Sequence, residues 1–78
     1  MVIDNSNVKL KKTLRVLDKT GERVENIVWF NTETHVGSTV KNGKEERLEV
    51  SQFYFVGDPM ELERMLPPEL YTHIVPSY

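Results

Sequence analysis

Residues 8–21 read VKLKKTLRVLDKTG and set the expected architecture of this chain. Apolar and polar residues largely alternate from Val8 to Leu17, and a period of two is typical of a strand with one buried face. The next four residues, 18–21, place aspartate first and glycine fourth, as in a type I turn. We therefore expect a first strand over residues 8–17 that ends in a hairpin.

A second strand is predicted over residues 23–32. A three-residue loop fixes its register, which sets Val16 opposite Val24 and Leu10 opposite Phe30. Apolar residues then meet apolar residues across the hairpin. The second strand has apolar residues on both faces, which is typical of a central strand.

The second hairpin has two possible registers. Asn42-Gly43 is a strong signal for a two-residue turn, but that turn would set Val36 opposite a glutamate. A three-residue loop over residues 41–43 shifts the register by one and sets Val36 opposite Leu48. We therefore expect the three-residue loop.

In this register, all even-numbered residues from Val8 to Val56 share the core face of the sheet. The predicted fold class is α+β and mainly β. It is a three-stranded antiparallel meander that bends near Gly37, with a short C-terminal helix. The bend would allow the meander to curl into a small open barrel.

One domain over residues 1–78 is expected, with the sheet in 8–56. A helix is predicted over 58–66, because Asp58 is a good N-cap and a proline follows at the first helical position. The proline-rich tail over 67–78 is expected to open with a short helical turn and to end extended.

The composition excludes several classes of protein. The chain has 78 residues, no cysteine, twelve acidic and ten basic residues, and a formal net charge of −2. Disulfides and cysteine–zinc sites are therefore excluded, and no cofactor or metal is expected. No signal peptide or long apolar run is present, so we expect a cytoplasmic protein without a membrane segment.

The sequence provides thin support for catalysis. His35 lies near Glu33, and the expected register sets it opposite Glu49. A general base also needs a substrate pocket within hydrogen-bond reach, and a small sheet rarely encloses one. We therefore predict that the protein is not an enzyme.

The odd-numbered face of the predicted sheet carries the candidate site. Its partner-binding residues are expected to be Trp29, Phe53, Phe55, Ile27, Lys11 and Arg15. Aromatic and arginine side chains dominate protein interfaces, so the leading prediction is a protein-interaction module that binds a partner protein or forms a homodimer. The alternative is a single-stranded nucleic-acid binder that stacks bases on the same rings. A third interpretation is a structural piece in which the C-terminal helix or barrel closure covers the rings.

Two segments, Val16–Gly21 and Ile27–Thr34, resemble a pattern of small orphan proteins of bacteriophages. The pattern is an apolar-Leu-Asp turn ending in glycine, followed by apolar-Val-Trp and a run of aspartate or asparagine and then Thr-Glu-Thr. It covers about 20 residues here, and His35 stands where the pattern commonly continues with glycine. The resemblance implies a virus-encoded accessory protein of the host cytoplasm, and it transfers no functional residue.

Overall fold

A computed structural model describes residues 1–77 as a mainly β, largely antiparallel structure with short helices, which confirms the predicted fold class. Along the described chain the elements are β1 (Val2–Ile3), α1 (Val8–Thr13), β2 (Leu14–Asp18), β3 (Arg23–Val24), β4 (Ile27–Asn31), β5 (Val36–Lys41), β6 (Lys44–Gly57), α2 (Pro59–Met65), a 3-10 helix (Pro68–His73) and β7 (Ile74–Pro76). The number of strands is therefore larger than the three predicted.

Strand β6 organises the sheet. The strand order is β1-β4-β5-β6-β2-β3 with antiparallel neighbours, and β7 pairs with β6 in parallel. A straight strand with the 14 residues of β6 would be about 46 Å long, at ~3.3 Å per residue. The longest dimension of the molecule is only 36 Å. Strand β6 therefore bends. Its first part pairs with β5, and its second part pairs with β2 and β7.

A β-bulge at Ser51 marks the change of partner. Leu17 pairs with Gln52 and Asp18 with Val50, so Ser51 has no opposite residue on β2. Its hydroxyl donates to the carbonyl oxygens of Leu17 at 3.2 Å and Asp18 at 2.7 Å. The extra residue reverses the inward parity of β6. The buried residues of β6 are Leu48 and Val50 before the bulge, and Phe53 and Phe55 after it.

The prediction of a uniform even-numbered core face is therefore wrong for the second half of β6. A second register shift lies in β4, between Ile27 and Trp29. Gly37, near which the bend was predicted, pairs regularly with Phe30 and Leu48. The register shift in this region therefore lies in β4, the strand that pairs with β5 at Gly37.

The predicted first strand is wrong over residues 8–13, which form α1. The side chain of Asn7 caps this helix by accepting from the backbone N–H of Leu10 at 3.2 Å. Leu10 is fully buried, and the lysines around it are good helix formers. Lys12 would have faced inward in a strand, so it breaks the alternation that suggested one. The strand begins only at Leu14.

The first hairpin forms with the predicted turn and register, because Val16 pairs with Val24. The predicted pairing of Leu10 with Phe30 is wrong, since β3 ends at Val24. Asn26 then adopts a left-handed conformation, with φ of 57°. This turns the chain away from β2, and β4 instead pairs with β1 and β5.

The second hairpin has the two-residue turn, so the predicted three-residue loop is wrong. Asn42 and Gly43 have φ of 52° and 77°, and Lys41 pairs with Lys44. Two consecutive positive φ angles are typical of a type I′ turn, which matches the twist of the flanking strands. The mismatch of parity that had favoured the longer loop remains in this hairpin, where Leu48 pairs with Gly37 and Val40 is 38% exposed.

The C-terminal segment follows the sequence prediction. Asp58 caps α2 by accepting from the backbone N–H of Met60 at 3.0 Å, which confirms the helix predicted over 58–66. The predicted helical turn in the tail is the 3-10 helix, and β7 forms the extended part that follows. Tyr78, the last residue of the predicted tail, lies outside the described residues. Along residues 1–77, every helix is too short or too polar to cross a membrane.

Two turn carboxylates have pKa values below their usual value of 3.8. The pKa of Asp18 is lowered chiefly by a hydrogen bond from the Thr20 hydroxyl, and the backbone N–H groups of Glu22 and Thr20 add to the effect. The pKa of Asp4 is lowered by the hydroxyl and then by the backbone N–H of Ser6. Both carboxylates are therefore stabilised in their ionised form by the turns that they close.

We expect a loss of stability in acid that depends on these carboxylates. A group with a lowered pKa in the folded state contributes stability above its unfolded pKa, and the contribution disappears as pH falls through the folded value. The stability of the protein should therefore decrease below about pH 4. Urea unfolding of the parent and of Asp18→Asn measures this loss. The difference in unfolding free energy between them should shrink from pH 7 towards pH 2, and a constant difference would contradict the prediction.

Candidate interaction site

The aromatic patch predicted on the odd-numbered face does not form. Phe53 is 5% exposed and Phe55 is fully buried. The ring centroid of Phe53 lies 5.1 Å from that of Phe30 and 6.1 Å from that of Phe55, and both contacts are T-shaped. The bulge at Ser51 turns both β6 rings into the core, so Phe53 and Phe55 are corrected from candidate binding residues to core residues.

Trp29 lies apart from these rings. It is half-buried and outside the hydrophobic core cluster, in a shallow depression with Val36, Ser38 and Arg47. The hydroxyl of Ser38 donates to Glu45 Oε1 at 2.6 Å beside it. Trp29 therefore retains a partly accessible ring, but the expected aromatic neighbours are absent from this depression.

The structure brings together the other three predicted residues, Lys11, Arg15 and Ile27. They line a cleft of about 330 Å³, which we call the cationic cleft. Its lining residues are Lys11, Leu14, Arg15, Arg23, Val24, Glu25, Asn26 and Ile27. The cleft therefore lies between the start of β2 and the connection from β3 to β4.

The early end of β3 produces the cationic cleft. Because Val16 pairs with Val24, a longer β3 would set Glu25 beside Arg15 and cover this edge of β2. The positive φ of Asn26 directs the chain away instead. The cleft occupies the gap that results.

Strand β5 holds the turn after β3 in place. The hydroxyl of Thr39, which is 3% exposed, donates to the carbonyl oxygen of Glu25 at 2.8 Å. The backbone N–H of Val40 donates to the carbonyl oxygen of Asn26 at 3.1 Å. The wall of the cleft that carries Glu25 is thus attached to the central sheet.

Backbone contacts also position the guanidinium of Arg15. Its Nη1 donates to the carbonyl oxygens of Lys12 at 2.7 Å and Leu14 at 3.0 Å. These oxygens lie at the end of α1 and at the start of β2, so Arg15 satisfies acceptors where β3 provides no partner strand. The hydrogen bonds found in residues 1–77 use only Nη1 of this guanidinium. The donors on Nε and Nη2 are left for another acceptor.

The cationic cleft has an excess of positive charge. Lys11, Arg15 and Arg23 line it together with a single carboxylate, that of Glu25. The ion pairs found in residues 1–77 join the N-terminal amine to Glu33 and Arg47 to Glu49, so none involves a cleft cation. Lys11 Nζ donates to the neutral amide oxygen of Asn5. No ion pair within this part of the chain therefore neutralises the three cations, and beside the hydrogen bonds from Ser6 the charge of Lys11 also lowers the pKa of Asp4.

The charge of the whole sequence is distributed unevenly. Residues 1–25 hold six of the ten basic residues but only four of the twelve acidic residues. Residues 26–78 therefore carry the negative excess. A chain of net negative charge thus concentrates its positive charge in the segment that forms α1, β2 and β3.

The floor of the cationic cleft is apolar. Leu14 is 4% exposed and belongs to the hydrophobic core. Val24 and Ile27 are half-buried and pack against the same core. The cleft therefore combines a charged rim with aliphatic side chains beneath it.

Both histidines contact the ring of Phe53. The ring of His73 stacks on it with the two centroids 4.3 Å apart, and His73 Nδ1 lies 3.2 Å from the carbonyl oxygen of Phe53. His35 meets the ring edge-on at 5.3 Å. The register expected to set His35 opposite Glu49 is wrong, because Val36 pairs with that glutamate. Within the described chain, no three acidic or histidine side chains are grouped to hold a metal ion.

Comparisons with protein-family models, curated proteins and solved structures find no match to this chain.

Sequence reasoning missed Leu14 and Val24 as neighbours of the candidate site. The available signal was the polar pair Glu25-Asn26 inside the predicted second strand. Asparagine adopts the left-handed conformation more readily than most residues, so it can end a strand.

Proposed function

We propose that this protein is a non-enzymatic interaction module that holds a carboxylate-rich segment of a partner protein in the cationic cleft. The observation that carries the proposal is the group of three cations, Lys11, Arg15 and Arg23, without ion-pair partners in residues 1–77. Carboxylates complement such a rim, and arginine can bind them through two parallel hydrogen bonds.

The arrangement of the cations favours binding. The contacts of Arg15 with two backbone carbonyls, and of Lys11 with Asn5, restrict these side chains before a partner arrives. A positioned cation loses less conformational entropy on binding than a freely moving one. The concentration of positive charge around the cleft also accelerates encounter with an acidic segment.

Burial of the aromatic rings favours a protein partner over nucleic acid. A single-stranded nucleic-acid binder needs exposed rings on which bases stack. Phe53 and Phe55 are in the core, which leaves Trp29 of the three rings that the alternative required. The cationic cleft needs no stacking ring to bind carboxylates.

Charge reversal at Arg23 tests the proposal. Arg23 is exposed, and its side chain makes no hydrogen bond or ion pair within residues 1–77, so Arg23→Glu should preserve the fold. We expect this variant to bind a labelled peptide of alternating glutamate and serine about tenfold more weakly than the parent, a loss of ~1.4 kcal/mol. Fluorescence anisotropy measures the affinity, and added salt should weaken parent binding.

Arg64→Glu is the matched control. Arg64 is exposed on α2, and its substitution makes the same change of charge away from the cleft. It should retain parent affinity. Equal losses in both variants would show a general charge effect and contradict the proposal. A single-stranded oligonucleotide that binds more tightly than the peptide, and is lost in Arg23→Glu, would favour nucleic acid instead. Sedimentation of the parent and of Arg23→Glu would reveal a homodimer that uses the cleft, because only the parent would then dimerise.

A further inference from the structure

We infer that the cationic cleft recognises a segment in which an aliphatic side chain is flanked by carboxylates. This inference rests on the proposed function and specifies its ligand. The apolar floor under the charged rim carries it, because Leu14, Val24 and Ile27 line the same cleft as the cations. A segment of carboxylates alone would leave this floor without an apolar partner.

The floor has the position and size to take one side chain. Val24 and Ile27 retain exposed surface above the core, against which they pack. The cleft of about 330 Å³ is near the lower limit for small-molecule pockets, ~300 Å³. It therefore suits one aliphatic side chain together with the carboxylates beside it. Burial of that side chain removes apolar surface of both partners from water.

Glu25 contributes selectivity to the same site. It is the one carboxylate in the lining, on the connection from β3 to β4, and its backbone is held by Thr39. A carboxylate of the ligand is attracted by the three cations and repelled by Glu25. The ligand therefore places its aliphatic residue, rather than another carboxylate, on the side of Glu25.

Two labelled peptides of equal charge test the inference. Both consist of glutamates around one central residue, which is serine in the first peptide and leucine in the second. The parent should bind the leucine peptide about tenfold more tightly, a difference typical of one aliphatic group in an apolar pocket. Equal affinity for the two peptides would overturn the inference and leave the proposed function intact. Failure of both peptides to bind would overturn the proposed function as well.

Two variants locate the binding site of the leucine. Val24→Thr keeps the shape of the floor but adds a hydroxyl, so it should remove most of the leucine advantage and retain binding of the serine peptide. Val75→Thr on β7, whose parent side chain is 43% exposed, is the matched control and should retain the advantage. Persistence of the full advantage in Val24→Thr would show that the leucine binds elsewhere.

Glu25→Gln provides a test that unfolding cannot imitate, because the expected result is a gain. Removal of this charge should tighten binding of both glutamate peptides about threefold. Glu46→Gln in β6 makes the same change outside the cleft and should have no such effect. Unchanged binding in Glu25→Gln would contradict the assigned position of the ligand.

Discussion

Phe55→Ala is expected to lower the unfolding free energy of the protein by about 4 kcal/mol. The ring of Phe55 is fully buried and in contact with Phe53, so its removal leaves a cavity at the centre of the core. A protein of 78 residues has a total unfolding free energy of only about 4–12 kcal/mol. The variant should therefore lose a third or more of the stability of the parent, with about 0–8 kcal/mol remaining. Urea titrations monitored by fluorescence of the sole tryptophan, Trp29, measure the loss.

Tyr54→Ala is the control for this loss. Tyr54 is the neighbouring residue of β6 and is half-buried. The Tyr54→Ala substitution should lower the unfolding free energy by about 1 kcal/mol, a typical value for a single substitution. A Phe55→Ala variant that unfolds at nearly the parent urea concentration would show that this ring lies outside the core. That result would support the exposed aromatic face that strict alternation predicts.

Gly37→Ala is expected to destabilise the protein by about 3 kcal/mol, because β4 and β5 approach closely at this residue. A Cβ atom on Gly37 would lie 2.4 Å from the carbonyl oxygen of Trp29 and 3.1 Å from the Cα of Phe30. Both are backbone atoms, so no side-chain rotation relieves the overlap. The two strands would have to separate where Gly37 pairs with Phe30. Thermal and urea unfolding both measure the effect.

Gly57→Ala is a matched control in the same sheet. A Cβ atom there would meet side-chain atoms of Leu62 at 3.4 Å and Thr13 at 3.7 Å, which are ordinary contact distances. This variant should remain within about 0.5 kcal/mol of the parent. Equal stability of the two variants would mean that the strands can separate at Gly37 without cost.

Interactions between residues close in sequence were predictable. The turn from Asp18 to Gly21, the pairing of Val16 with Val24 and the helix capped by Asp58 all follow from local residue preferences. Each depends on a few neighbouring dihedral angles and one or two short-range hydrogen bonds, which the residue types restrict directly. Lys11, Arg15 and Ile27 were also named from the sequence, but as residues of one sheet face, whereas Lys11 lies on α1.

The choice of strand partners required the folded chain. Alternation in sequence specifies which side chains share a face only while the pairing stays regular, and one extra residue reverses the faces. The unpaired Ser51 turned Phe53 and Phe55 inward, and Asn26 ended β3 early enough to open the cationic cleft. The bulge lies within a 14-residue strand that bends around a small core, whereas the end of β3 depends on the left-handed conformation of Asn26.

Local preferences therefore specified the turns, the C-terminal helix and the mainly β class of this protein. The three-dimensional packing decided the order of the strands, the burial of the aromatic rings and the meeting of Lys11, Arg15 and Arg23 around one apolar floor. The physical reason is that burial of apolar surface depends on contacts between distant residues, and no short stretch of sequence contains both partners.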